Sequence, residues 1–156
     1  MTRSAIWPAV WRCLAKRFLY GRFEVCAKLG SAKGSWPAIW LKPTDSTTYG
    51  AWPKCGEIDI MEQLNKDTFV YHTMHTEYIK VLGHKTDPDY YTTASYNPHE
   101  FNVFGMEWTP DKIDMFINDS LTSVIPVFKK KVLCNGLLTF RSSSCSTRYS
   151  EDGQAR

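Results

Sequence analysis

Hydrophobic and polar positions alternate along residues 22–29 (RFEVCAKL). Phe23, Val25, Ala27 and Leu29 share one face, and Arg22, Glu24, Cys26 and Lys28 share the other. A period of two marks a half-buried strand. A Gly/Ser/Lys turn follows at 30–35, and residues 36–41 (WPAIWL) read as a short buried strand opening on Trp-Pro. Residues 42–56 hold Pro43, Asp45, Ser46, Gly50, Pro53 and Gly56, which predicts a loop. Strand signals resume at 57–62 (EIDIME) and 68–79 (TFVYHTMHTEYI). A long polar loop is expected over residues 83–99, with strands at 101–108 (FNVFGMEW) and 112–117 (KIDMFI) separated by a Thr-Pro-Asp turn. Asn118-Asp119 makes the next turn. No window has a helical period and no repeat is visible. Short strands punctuated by turns predict an all-β fold, an antiparallel β-sandwich.

Composition narrows the reading. The 156 residues suffice for one domain with a core, and 43% of them are hydrophobic. Aromatic residues make up 14%, which suits strands and also a cleft that stacks flat apolar ligand faces. The net charge is +3 with the basic residues scattered, so the stripe a nucleic-acid binder needs is absent. The five cysteines (Cys13, Cys26, Cys55, Cys134, Cys145) include no C-x-x-C pair, so neither a zinc site nor a disulfide framework is read from them. No apolar run reaches the roughly 18 residues of a membrane span.

The two ends differ from the centre. Residues 1–17 have no clean period; Pro8 and Arg12 interrupt the apolar start, and no signal peptide is recognised there. Residues 129–156 open with Lys129-Lys130-Lys131 and run into a Ser/Arg/Cys-rich tail. Both ends are expected to be disordered or frameshifted. Back-translation of residues 139–146, read two bases along, permits an apolar strand-like run.

The sharpest feature is Glu57-Ile58-Asp59-Ile60-Met61-Glu62, three carboxylates in six residues interleaved with large apolar side chains. Clustered like charges are expensive, so folding stability alone does not favour them. Strict alternation groups Glu57, Asp59 and Met61 and turns Glu62 to the opposite face. A one-residue bulge near Ile60-Met61 would return Glu62 to the side of Asp59, and that bulge is predicted. Two carboxyls about 5–5.5 Å apart across a sugar bond define a retaining glycosidase. Glu57 is then the expected nucleophile, Glu62 the acid/base, and Asp59 the group that hydrogen-bonds Glu57 and couples the titrations. This chemistry needs no metal.

These residues also resemble a known family. The stretch GRFEVCAKL, GSWPAIWLKP and YGAWPKCGEIDIMEQ is similar to the family 16 glycoside hydrolases, and within them to bacterial laminarinases, the endo-β-1,3-glucanases. VYHTMHTEY and FNVFGMEWTPDKIDMFIND resemble the strands that follow, so the similarity covers residues 18–126. It implies a jelly-roll sandwich with a long cleft, and endo-hydrolysis of β-1,3- or mixed β-1,3/1,4-glucan with retention. Residues 18–128 would form the central part of a catalytic domain. The shifted reading of the tail resembles a later strand of the family.

The resemblance places Trp36, Trp40 and Trp52 in or beside the cleft as substrate-binding residues. It matches His75 to a histidine after the catalytic strand, and Glu107 and Trp108 to a pair on a later strand of the same sheet. Read from the residues alone, a tryptophan is equally at home in a core. Trp36 and Trp40 share a face that parity does not identify, Trp52 in its Gly/Pro loop favours ligand contact, and His75 is as readily structural. His72 should point away from His75, and His84 and His99 should lie on surface loops. A structural calcium is common in the family, but its ligands are not identifiable here. The expected partner is a polysaccharide, with no nucleic acid and no membrane, and the expected location is secreted or periplasmic. Nothing in the residues speaks to oligomeric state. The alternative is a truncated inactive remnant or a lectin-like carbohydrate-binding module. The three carboxylates argue against the lectin, and the short chain argues for the remnant.

Overall fold

A computed structural model describes residues 10–12, 17–43, 50–86, 89–126 and 140–149. The regular structure of the described residues is almost entirely strand: β1 (Val10–Arg12), β2 (Arg17–Phe18), β3 (Gly21–Ala27), β4 (Ser35–Pro43), β5 (Glu57–Glu62), β6 (Phe69–His75), β7 (Tyr91–Ser95), β8 (Asn102–Trp108), β9 (Lys112–Ile117), β10 (Ser120–Pro126) and β11 (Phe140–Tyr149). One sheet runs β1-β11-β4-β5-β6-β7, with β2 also paired to β11; the other runs β10-β9-β8-β3. All pairings between these strands are antiparallel. The predicted sandwich is therefore present, in jelly-roll form.

Alternation explains how the two sheets close. Leu41, Ile58, Ile60, Val70 and Met74 project from the first sheet, and Phe104, Met106, Trp108, Ile113 and Met115 from the second; all are at most 2% exposed. Burying each such side chain contributes about 1.5–3 kcal/mol, so this double layer is the main cohesive term. The predicted face of Phe23, Val25 and Ala27 packs on that core, while Arg22, Glu24 and Cys26 are exposed. Among the described residues, Cys26 and Cys55 are free thiols.

Several elements depart from the sequence reading. The strand expected over 68–79 stops at His75. Thr76 then caps a single helical turn, α1 (Glu77–Lys80), by accepting from the Ile79 N–H at 3.2 Å. Among the described residues no helix is long and apolar enough to cross a membrane. β7 lies inside the expected 83–99 loop; at the sheet edge it buries little, so it carries no apolar alternation to read. Within the tail, Phe140–Tyr149 pairs along the whole of β4, from Phe140 opposite Pro43 to Tyr149 opposite Ser35. The rest of the expectations for 1–17 and 129–156 fall largely outside the described residues.

Candidate active site

The predicted bulge is in β5. On one side Trp40 pairs with Asp59 and Ile39 with Met61; on the other Asp59 pairs with Thr73 and Glu62 with Tyr71. The chain thus gains a residue at Ile60-Met61, and both side chains are fully buried. Two consecutive apolar residues turned inward restore the parity, so Glu62 faces the same side as Glu57 and Asp59. Gly56, at φ 84°, supplies the left-handed turn that brings the Trp52 loop into this strand.

The three carboxyl groups sit on the floor of a cleft of about 740 Å³. Trp36 Nε1 donates to Glu62 Oε1 at 2.9 Å, and Thr73 Oγ1 donates to Glu62 Oε2 at 2.8 Å. Both oxygens of Glu62 are therefore oriented. Lys42 Nζ lies 3.1 Å from Glu57 Oε2, and His75 Nε2 lies 2.9 Å from Asp59 Oδ2. Asp59 is 2% exposed and hydrogen-bonded to Glu57. Burial first, then the charges of Glu62 and Glu57 and that hydrogen bond, hold its carboxyl well above the ordinary carboxylate range. Asp59 thus holds a proton more tightly than an ordinary carboxyl does, and a protonated Asp59 can donate to Glu57.

The structure settles the open parity of β4. Trp36, Ala38, Trp40 and Lys42 all line the cleft. Trp52 lines it too, half exposed, with its ring centroid 5.7 Å from that of His75. His72 faces the other way and is fully buried, as parity requires, and His84 and His99 are exposed. Glu107 and Trp108 require a correction. β8 belongs to the opposite sheet, and neither residue reaches the cleft. Trp108 alternates inward with Phe104 and Met106 and packs edge-on against Tyr20 at 4.9 Å, while Glu107 has the outward parity. The resemblance put the pair in the cleft sheet, whereas the pairing of β8 with β3 and β9 puts it on the other side of the core.

Sequence reasoning also missed Lys42, Thr73, Tyr71, Tyr90 and Tyr91, all of which line the cleft. Lys42 had a signal, since it shares parity with Trp36 and Trp40, and Thr73 shares parity with His75. Tyr90 and Tyr91 stood in an expected loop and had none.

Glu57, Asp59 and His75 offer one ligand atom each within 4.8 Å of one another. They do not fit the calcium that the family resemblance brings to mind. That ion takes about 6–8 oxygens, whereas this group has one imidazole, a buried Asp59 whose environment disfavours its charge, and the Lys42 ammonium already against Glu57.

The family model for glycosyl hydrolases family 16 matches residues 13–133. The chain belongs to glycosyl hydrolase family 16. The similar curated relatives include the following two. The beta-glucanase of Rhodothermus marinus is 44% identical over 106 residues, which are 65% of this chain and 36% of that protein. The keratan-sulfate endo-1,4-beta-galactosidase of Sphingobacterium multivorum is 43% identical over 106 residues, which are 65% of this chain and 24% of that protein. The solved laminarinase of Rhodothermus marinus superposes with a TM-score of 0.71 at 29% identity, over 90% of this chain and 60% of that one. This family 16 chain therefore spans well under half the length of the two curated relatives, and its likeness to laminarinases agrees with the motif reading.

Proposed function

We propose that this family 16 domain cleaves β-1,3- or mixed β-1,3/1,4-glucan internally by double displacement with retention. Glu57 attacks the anomeric carbon as a carboxylate while Glu62 protonates the departing oxygen, which leaves a glycosyl ester on Glu57. Glu62 then takes a proton from water, the water oxygen bonds the anomeric carbon, and the ester bond breaks. Asp59 holds Glu57 through its proton. No metal enters a step. The single observation that supports this reading most is the β5 bulge, which puts Glu62 on the cleft floor with Glu57 and Asp59 and leaves both of its oxygens oriented by Trp36 and Thr73. Trp36, Trp40 and Trp52 supply aromatic surface for stacking pyranose faces along the cleft. A glycan in that cleft is the partner this reading requires, and an extracellular or periplasmic location follows from where such polymers occur.

Reducing-end release from laminarin, mixed-linkage β-glucan and keratan sulfate tests the reading, with NMR of the first product anomer. The expected outcome is release from a β-glucan with the β-anomer appearing first. Loss of general acid–base or nucleophilic function costs at least about 10²–10⁴-fold, so Glu57→Gln and Glu62→Gln should each be nearly inactive. Activity surviving in Glu57→Gln sinks the mechanism. A second reading, glycan binding without hydrolysis, is favoured by the similarity to the beta-1,3-glucan-binding protein of Penaeus monodon, 34% identical over 115 residues, which are 67% of this chain and 31% of that protein. It predicts laminarin binding with no new reducing ends.

A further inference from the structure

We propose that His72 is a positioning residue for Glu62, a single neutral imidazole that ties the bulge of the catalytic strand to a second bulge in the opposite sheet. The inference rests on the acid/base role proposed for Glu62. His72 lies on β6 with inward parity, 0% exposed. Its Nδ1 is 2.6 Å from the carbonyl oxygen of Ile60, and its Nε2 is 2.9 Å from Thr122 Oγ1. Ile60 stands in the β5 bulge. Thr122 is the extra residue of β10, where Leu121 pairs with Phe116 and Ser123 with Met115. A bulged residue leaves its ladder partly unpaired, and each of these bulges turns a polar group to the same imidazole.

The protons can be assigned. A carbonyl only accepts, so His72 Nδ1 carries a hydrogen. Thr122 has one hydroxyl proton and two acceptors within reach, His72 Nε2 and the Met115 carbonyl at 3.0 Å. If that proton went to Met115, Nε2 would need its own hydrogen and the imidazole would be a cation inside an apolar core. Burial disfavours that charge and pushes the imidazole's pKa down. The neutral arrangement runs from Thr122 O–H to Nε2, and from Nδ1–H to Ile60 O. It anchors the backbone two residues before Glu62, at the step that returns Glu62 to the cleft floor. The tether sits behind the sheet and touches no substrate.

Thr122→Val deletes the hydroxyl at nearly constant volume, and Thr122→Ser keeps it. In ¹⁵N-histidine-labelled wild type, long-range ¹H–¹⁵N spectra should show His72 protonated at Nδ1 alone. In Thr122→Val the amide exchange of Ile60, Met61 and Glu62 should accelerate by about tenfold while the fold is kept. The Trp36 indole N–H resonance, which reports the contact with Glu62, should shift; Thr122→Ser should restore both signals. On laminarin, kcat should fall about tenfold with KM unchanged. Protonation of His72 at Nε2, or an unmoved Trp36 resonance in Thr122→Val, overturns the proposal. A wild type that hydrolyses no glycan counts against the assigned reaction, while the tautomer and exchange signals still decide the tether.

Discussion

Lys42 Nζ lies 3.1 Å from Glu57 Oε2 and 4.6 Å from the centre of the Trp40 ring. One ammonium thus bridges the expected nucleophile and an aromatic wall of the cleft. The aromatic contact limits where the flexible lysine stem can go. The ion pair draws the Glu57 carboxylate towards β4, the strand that also carries Trp36.

Lys42→Met keeps the length of the side chain and removes its charge. We expect kcat/KM on laminarin to drop about tenfold, the rate equivalent of roughly 1.4 kcal/mol of transition-state stabilisation. Lys42→Arg should recover part of that loss, because a cation remains within reach of Glu57. Initial rates for the three proteins decide the matter; equal rates for Lys42→Met and wild type would show that the pair does nothing for the reaction.

Trp36→Phe separates stacking from hydrogen bonding. The phenyl ring preserves an aromatic face, but the N–H that meets Glu62 Oε1 at 2.9 Å is gone. A hydrogen bond to a charged group contributes roughly 1.5–3 kcal/mol. Activity should therefore fall by about tenfold to a hundredfold, with the thermal midpoint little changed. A steady-state assay beside a melting curve checks it, and a purely stacking Trp36 would show a raised KM at constant kcat instead.

Most of the sandwich was legible because alternation is a local signal. Phe23, Val25 and Ala27 declared their face within seven residues, and the apolar pair Ile60-Met61 declared the bulge by breaking the period. What was not legible depends on partners distant in sequence. Trp108 looks the same in a cleft sheet as in the sheet behind it. Only the pairing of β8 with β3 and β9 puts it in the core. Tyr91-Thr92-Thr93 has strand-favouring residues, but at an edge half of them face solvent and the period vanishes. Lys42 was readable by parity and was lost because Pro43 drew the loop boundary back by two residues. His72 was correctly turned inward, yet its link to Thr122 spans fifty positions and two sheets, which no local pattern encodes.

Trp108→Ala tests the corrected placement. Removing a buried tryptophan costs about 3–5 kcal/mol through lost burial and the cavity left behind. Chemical denaturation should show a loss of that order, with no specific change in KM for whatever protein remains folded. Glu107→Ala, on the outer side of the same strand, should move stability by no more than about 0.5 kcal/mol and leave KM alone. A raised KM in either variant at unchanged stability would restore the pair to the cleft.

Asp59 sets a pH dependence of stability. Its carboxyl is held well above the usual range by burial and by the charges of Glu62 and Glu57, so the folded chain binds this proton more tightly than the unfolded chain does. Wherever the folded state binds more protons, stability falls as pH rises. The contribution is therefore complete below the ordinary carboxylate value near 3.8 and is lost as pH climbs through the raised folded value. Asp59→Asn has no proton to lose and a side-chain amide that can still donate to Glu57. Measured from about pH 4 upward, the midpoint of Asp59→Asn should gain on that of the wild type as pH rises, while its activity falls because Glu57 loses a partner that can titrate with it. Midpoint curves that stay parallel across that range would show that Asp59 ionises as freely in the fold as in the unfolded chain, and that the proton shared on the cleft floor resides elsewhere.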